Sequence, residues 1–318
     1  MSFNDNADLD TSQVEGGGGG GGGGMFGGGM PGGGIAVGGG AGGILLLILF
    51  LVFGGGLGGG TNDSGTSSQG TQGSSLDQGQ VQAGGSQQGS FSQCRTGADA
   101  NRDAQCRVIG TVNSVQAYWQ DALPRYGTQY APSRTVLYSG STQSRCGTAS
   151  NQVGPFYCPL DRKVFIDASF FNELTSRFGA DNGALAQEYV VAHEYGHHVQ
   201  DLLGVLDQAQ SDPQGAESGA VRVELMADCL AGVWAKHATE TKDAQGDAFL
   251  KPLTEKDINS ALSAASAVGD DRIQQAAQGQ VNPETWTHGS SAQRQKWFTT
   301  GYRSGDLNAC DTLNVPTV

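Results

Sequence analysis

The sequence predicts a mainly helical α+β domain with a small sheet, preceded by a glycine-rich region and one apolar segment. Three observations carry this. Most of the 52 glycines precede Phe91. Beyond that point apolar residues recur at helical spacing, and short runs of β-branched and aromatic residues punctuate them.

Residues 1–34 read as a disordered N-terminal region. Runs such as residues 16–24, all glycine, have little to bury against the entropy of ordering them. Residues 35–58 are expected to form a transmembrane anchor. Their core, residues 44–53 (ILLLILFLVF), has ten residues, and only the uncharged flanks bring it towards the ~20 a bilayer requires. A cleaved signal peptide would need a basic n-region, yet the first basic residue is Arg95. Residues 59–90, rich in Gly, Ser and Gln, read as a flexible linker.

Residues 91–318 read as one domain, holding every Cys, His, Trp and Tyr. Apolar spacing predicts a helix over 108–125, stopped at Pro124. Residues 135–139 and Lys163–Asp167 read as strands, the latter a candidate edge for an extended substrate. Helices follow over 182–203, ended by Gly204, and over Gly219–His237. Thr254 and Asp257 form a capping box for a third, and Ser290 or Ser291 caps a fourth running towards Tyr302.

The formal charge of −13 and the lack of any basic cluster argue against nucleic acid as a partner. Six cysteines (Cys94, Cys106, Cys146, Cys158, Cys229 and Cys310) contain no C-x-x-C pair, so disulfides in an oxidising compartment are expected. Of 15 possible connectivities, proximity favours Cys94–Cys106 and Cys146–Cys158, leaving Cys229–Cys310. The domain is therefore expected outside the cytoplasm, on a single-pass protein of the cell membrane.

The chemistry lies in residues 193–197, His-Glu-Tyr-Gly-His. On a helix, positions i and i+4 share a face, so His193 and His197 can reach one metal ion, with Glu194 beside it as general base. A metzincin would continue with a third histidine, but Leu203 occupies that position. Glu224, on the next predicted helix, completes a His₂Glu set suited to Zn²⁺. Asp228, one turn later, can accept an N–H from a liganding imidazole. His288 is the candidate donor to the developing oxyanion, ahead of Tyr195; His198 and His237 are assigned to structure or surface. The expected activity is hydrolysis of peptide bonds by zinc-activated water. The alternative is a catalytically silent zincin-fold protein that binds protein partners.

Cys146-Gly147, Gly154 to Pro159 (GPFYCP), residues 193–198 (HEYGHH), 224–234 (ELMADCLAGVW), 287–290 (THGS) and 305–310 (GDLNAC) together resemble the bacterial neutral zinc metallopeptidase family. The resemblance runs from about Arg107 to Thr312. It implies a gluzincin-like, zincin-type peptidase domain behind an N-terminal membrane segment. His193, His197 and Glu224 would be its zinc ligands and Glu194 its catalytic residue. It also implies cysteines at positions 146, 158, 229 and 310, leaving the partner of Cys94 and of Cys106 open. The long glycine tract and the absence of basic residues before the apolar segment depart from the family pattern.

Overall fold

A computed structural model describes residues 2–17, 91–150 and 153–318. The expected anchor at 35–58 and linker at 59–90 lie outside these residues. Among the described residues, no helix is long and apolar enough to cross a membrane.

The fold is α+β, dominated by helices. The chain begins with strand β1 (Val14–Gly16), then α1 (Gly97–Arg102), α2 (Ala104–Ala122) and β2 (Arg134–Tyr138). A hairpin of β3 (Ser141–Ser144) and β4 (Gly147–Ser150) precedes β5 (Phe156–Cys158), β6 (Lys163–Asp167) and α3 (Phe170–Ser176). The principal helices follow: α4 (Ala184–Leu203), α5 (Gly219–His237), α6 (Glu255–Ala267), α7 (Asp270–Gln278) and α8 (Ser291–Ser304). Two predicted caps are present, Thr254 with Asp257 on α6 and Ser290 with Gln293 on α8. Gly204 ends α4 in the left-handed conformation, φ 72°, which glycine adopts without the Cβ clash.

The four-stranded sheet has the order β1-β2-β6-β5, parallel except for β5 against β6. Lys163–Asp167, expected as an exposed edge, is therefore an internal strand with both ladders occupied. β5 takes the end position beside the site. Sequence alone does not set strand order, which arises from where the crossover helices pack.

The N-terminal expectation also needs correction. Residues 2–17 are folded: Phe3 is fully buried, Leu9 and Val14 are buried, and β1 pairs with β2 from Val14↔Thr135 to Gly16↔Leu137. Here a few well-placed apolar side chains outweigh the composition of the region as a whole.

α4 is buried without interruption from Glu188 to Gln200, packed among α2, α5 and α6. A helix enclosed on all sides can hold polar groups only where partners meet them, so its histidines imply a built site. Gly196 faces α5: a Cβ there would stand 3.0 Å from the Ala227 Cα and carbonyl oxygen. α5 and α8 cross as tightly, since a Cβ at Gly232 would lie 2.2 Å from the Phe298 oxygen and one at Gly301 1.9 Å from that of Cys229. All six cysteines pair as Cys94–Cys106, Cys146–Cys158 and Cys229–Cys310. The last ties α5 to the C-terminal segment.

Candidate metal centre

His193 and His197 lie one turn apart on α4, and Glu224 faces them from α5. Glu224 Oε2 is 3.2 Å from His193 Nε2, and Oε1 is 3.4 Å from His197 Nε2. One ligand atom from each of the three lies within 4.8 Å of the others, a set that could hold a metal ion. All three side chains are buried, as is Glu194.

The far side of each imidazole is anchored. His193 Nδ1 lies 2.9 Å from Asp228 Oδ1, and His197 Nδ1 lies 2.8 Å from Gln200 Oε1. Both acceptors favour a proton on Nδ1, which leaves each Nε2 as the ring atom facing Glu224. Gln200 is itself fixed, donating to the Val223 carbonyl at 2.6 Å. Asp228 is wholly buried and receives Arg294 through Nε at 2.8 Å and Nη2 at 2.9 Å, plus the Tyr189 hydroxyl.

The electrostatics favour a cation. Burial opposes charge on His193, yet Asp228 and Glu224 push its pKa up to about 9. Burial opposes the Glu224 carboxylate too, but His197, His288 and His193 hold its pKa well below the ordinary range. Glu194 moves the other way: burial raises its pKa, against the pull of His193 and His197. Two nearby carboxylates thus have opposed proton affinities, the pattern expected where one binds and the other exchanges a proton.

His288 lines the same cavity as His193, His197 and Glu224. Asp270 accepts the backbone N–H groups of Thr287, His288 and Gly289 at 2.7, 2.7 and 3.1 Å, holding this turn against α7. His288 Nδ1 faces Thr287 Oγ1 at 2.8 Å, while its buried Nε2 has no hydrogen-bond partner among the described residues. A buried, unpartnered ring nitrogen is costly unless something else uses it. Burial lowers the His288 pKa, but Glu224 and Asp270 more than offset this and raise it.

His193, Glu194, His197, Glu224, His288 and Arg294 line one cavity of about 70 Å³. That holds several water molecules, each needing roughly 10–15 Å³ on this measure. Its remaining wall is apolar, from Val153 and Pro155 beside β5 to Phe170, Phe178, Val190 and Ile273.

The other sequence candidates lie elsewhere. His198 is held by Tyr157 and the Ala131 carbonyl, His237 by Glu240 and the Gly305 carbonyl, and Tyr195 by Thr135. Sequence reasoning missed Gln200, Tyr189, Asp270 and Arg294. Gln200 was findable, three residues beyond His197 on the same face. Arg294 and Asp270 depend on how α8 and α7 pack, and no local spacing signals that.

A protein-family model described as "Putative neutral zinc metallopeptidase" matches residues 5–313. The uncharacterized protein Rv2575 of Mycobacterium tuberculosis is 58% identical over 226 residues, covering 71% of this chain and 76% of that protein. The uncharacterized protein YpfJ of Escherichia coli is 44% identical over 200 residues, covering 61% and 66% respectively. No solved structure matches the chain significantly.

Proposed function

From the premise that this chain belongs to the neutral zinc metallopeptidase family, we propose that it hydrolyses peptide bonds outside the cytoplasm. The observation that carries this reading is the convergence of His193, His197 and Glu224, each imidazole anchored through Nδ1, on a cavity shared with Glu194 and His288. Two imidazoles and a carboxylate suit zinc, which when bound acidifies water and polarises a carbonyl.

His193, His197 and Glu224 would hold the ion, and Asp228 and Gln200 keep the rings aimed. Glu194, its proton affinity raised by burial, takes the proton from the attacking water and delivers it to the leaving amine. His288 Nε2 donates to the developing oxyanion from a ring held by the Asp270-bound turn. The substrate places a bulky apolar side chain against Phe170, Phe178 and Ile273. Three disulfides support an oxidising compartment.

The test is cleavage of a mixed peptide library by the purified chain beside Glu194→Gln and His288→Ala. Chelator-sensitive cleavage is expected from the wild type. Glu194→Gln should be inactive with zinc still bound, and His288→Ala should lose about 10²–10³ in kcat at unchanged zinc content. Equal cleavage by wild type and Glu194→Gln would remove Glu194 from the mechanism. No cleavage by any zinc-loaded form would favour the partner-binding alternative.

A further inference from the structure

Residues 2–17 and the domain beginning at Phe91 are separated in sequence by the apolar run 44–53, yet they form one fold. The domain is shaped to receive this segment. Asn101 pairs reciprocally with the backbone of Phe3, accepting its N–H at 2.8 Å and donating to its carbonyl at 3.0 Å. Asn113 does the same for Asp10, at 2.9 and 3.0 Å. Two glycines make room: a Cβ at Gly97 would stand 1.9 Å from the Asn4 oxygen, and one at Gly110 2.5 Å from the Phe3 ring. β1 extends the sheet, and Glu15 bridges Lys163 at 2.8 Å and Arg134 at 3.0 Å. Complete burial of a phenylalanine contributes about 1.5–3 kcal/mol, and Phe3 is joined by Leu9 and Val14. The family match itself starts at residue 5, inside this segment.

A single membrane crossing between residues 17 and 91 would put the two halves of this packed interface on opposite faces of a bilayer. We infer that residues 2–17 fold onto the domain in the same compartment, on one face of any membrane the protein meets. One sequence fact agrees. Residues 1–34 carry four acids and no Lys or Arg, so no positive charge holds them in the cytoplasm.

The test introduces one thiol into the full-length chain, whose native cysteines are all paired. Asn6→Cys and Gln278→Cys both lie at exposed positions. Each variant is labelled with a membrane-impermeant maleimide in intact and in permeabilised cells. The two should behave alike, whichever compartment that turns out to be. Labelling of one before permeabilisation and of the other only after it would overturn the inference. As a second measurement, Val14→Cys with Thr135→Cys, neighbours in the β1–β2 register, should form an intrachain disulfide in cells. Failure in cells of a bond that the purified variant forms would also overturn it. Neither measurement reads hydrolysis, so its outcome is independent of the peptidase proposal.

Discussion

Replacing Asp228 by asparagine removes a charge but almost no volume, and the structure assigns two separable costs to that change. The first falls on folding. Arg294 is 3% exposed and makes both of its short carboxylate bonds to Asp228. Stranding a buried ion in this way costs about 3–5 kcal/mol. The second falls on zinc, because His193 loses the anion that orients it and strengthens it as a donor. Losses of this kind weaken metal binding about 10–100-fold, or about 1.4–2.8 kcal/mol. Denaturant unfolding of the metal-free protein measures the first cost, and titration against a competing chelator measures the second. The double variant Asp228→Asn with Arg294→Met should recover most of the folding loss, since no unpaired charge remains, but none of the zinc affinity. The reasoning fails if the single variant loses less than about 1 kcal/mol and binds zinc within about threefold of wild type.

Two further outcomes follow from buried positions on α4. Gly196→Ala inserts a methyl 3.0 Å from the Ala227 backbone, and should cost about 1–3 kcal/mol and weaken zinc binding although no ligand changes; unchanged chelator titration and unchanged melting would contradict this. Glu188 is buried with neither carboxylate oxygen hydrogen-bonded, and burial pushes its pKa from 4.5 up to about 7 despite Arg107. Between those values the folded chain keeps a proton that the unfolded chain has released, so stability falls as pH rises through this window, by about 3 kcal/mol at 1.36 kcal/mol per unit. Glu188→Gln should flatten that part of the curve and be the more stable protein at pH 8. A wild-type curve that stays level from pH 5 to 8 would show that Glu188 has found a partner.

Legibility followed the range of the interactions. His193, Glu194 and His197 declare themselves because four residues along a helix is also one step along its face, and the bounds of α5 were readable from its apolar spacing. Glu224 and Asp228 were readable as the next carboxylates on the next helix. Arg294 was not, because it reaches Asp228 across 66 residues, through a helix crossing that glycine permits. The N-terminal segment was hidden for a similar reason: Val14 finds its partner at Thr135, and three widely spaced apolar residues in a polar stretch beside the glycine tract leave no periodic trace. Strand order was equally silent, which is why β6 passed for an edge.

The crossing of α5 and α8 sets how this site could move. Its closest approaches run from the glycines to opposing backbone, at Gly301 against Cys229 and Gly232 against Phe298. Backbone packed this closely at two points leaves α8 little room to slide along α5, so the smallest displacement open to it is a tilt about the point of contact. Arg294 sits seven residues from Gly301, a lever arm of about 10 Å along the helix. A tilt of about 10° would carry its guanidinium by about 2 Å, enough to break both bonds to Asp228. A fulcrum there would turn a small rotation at the C-terminal side of the fold into release of the carboxylate that steadies His193.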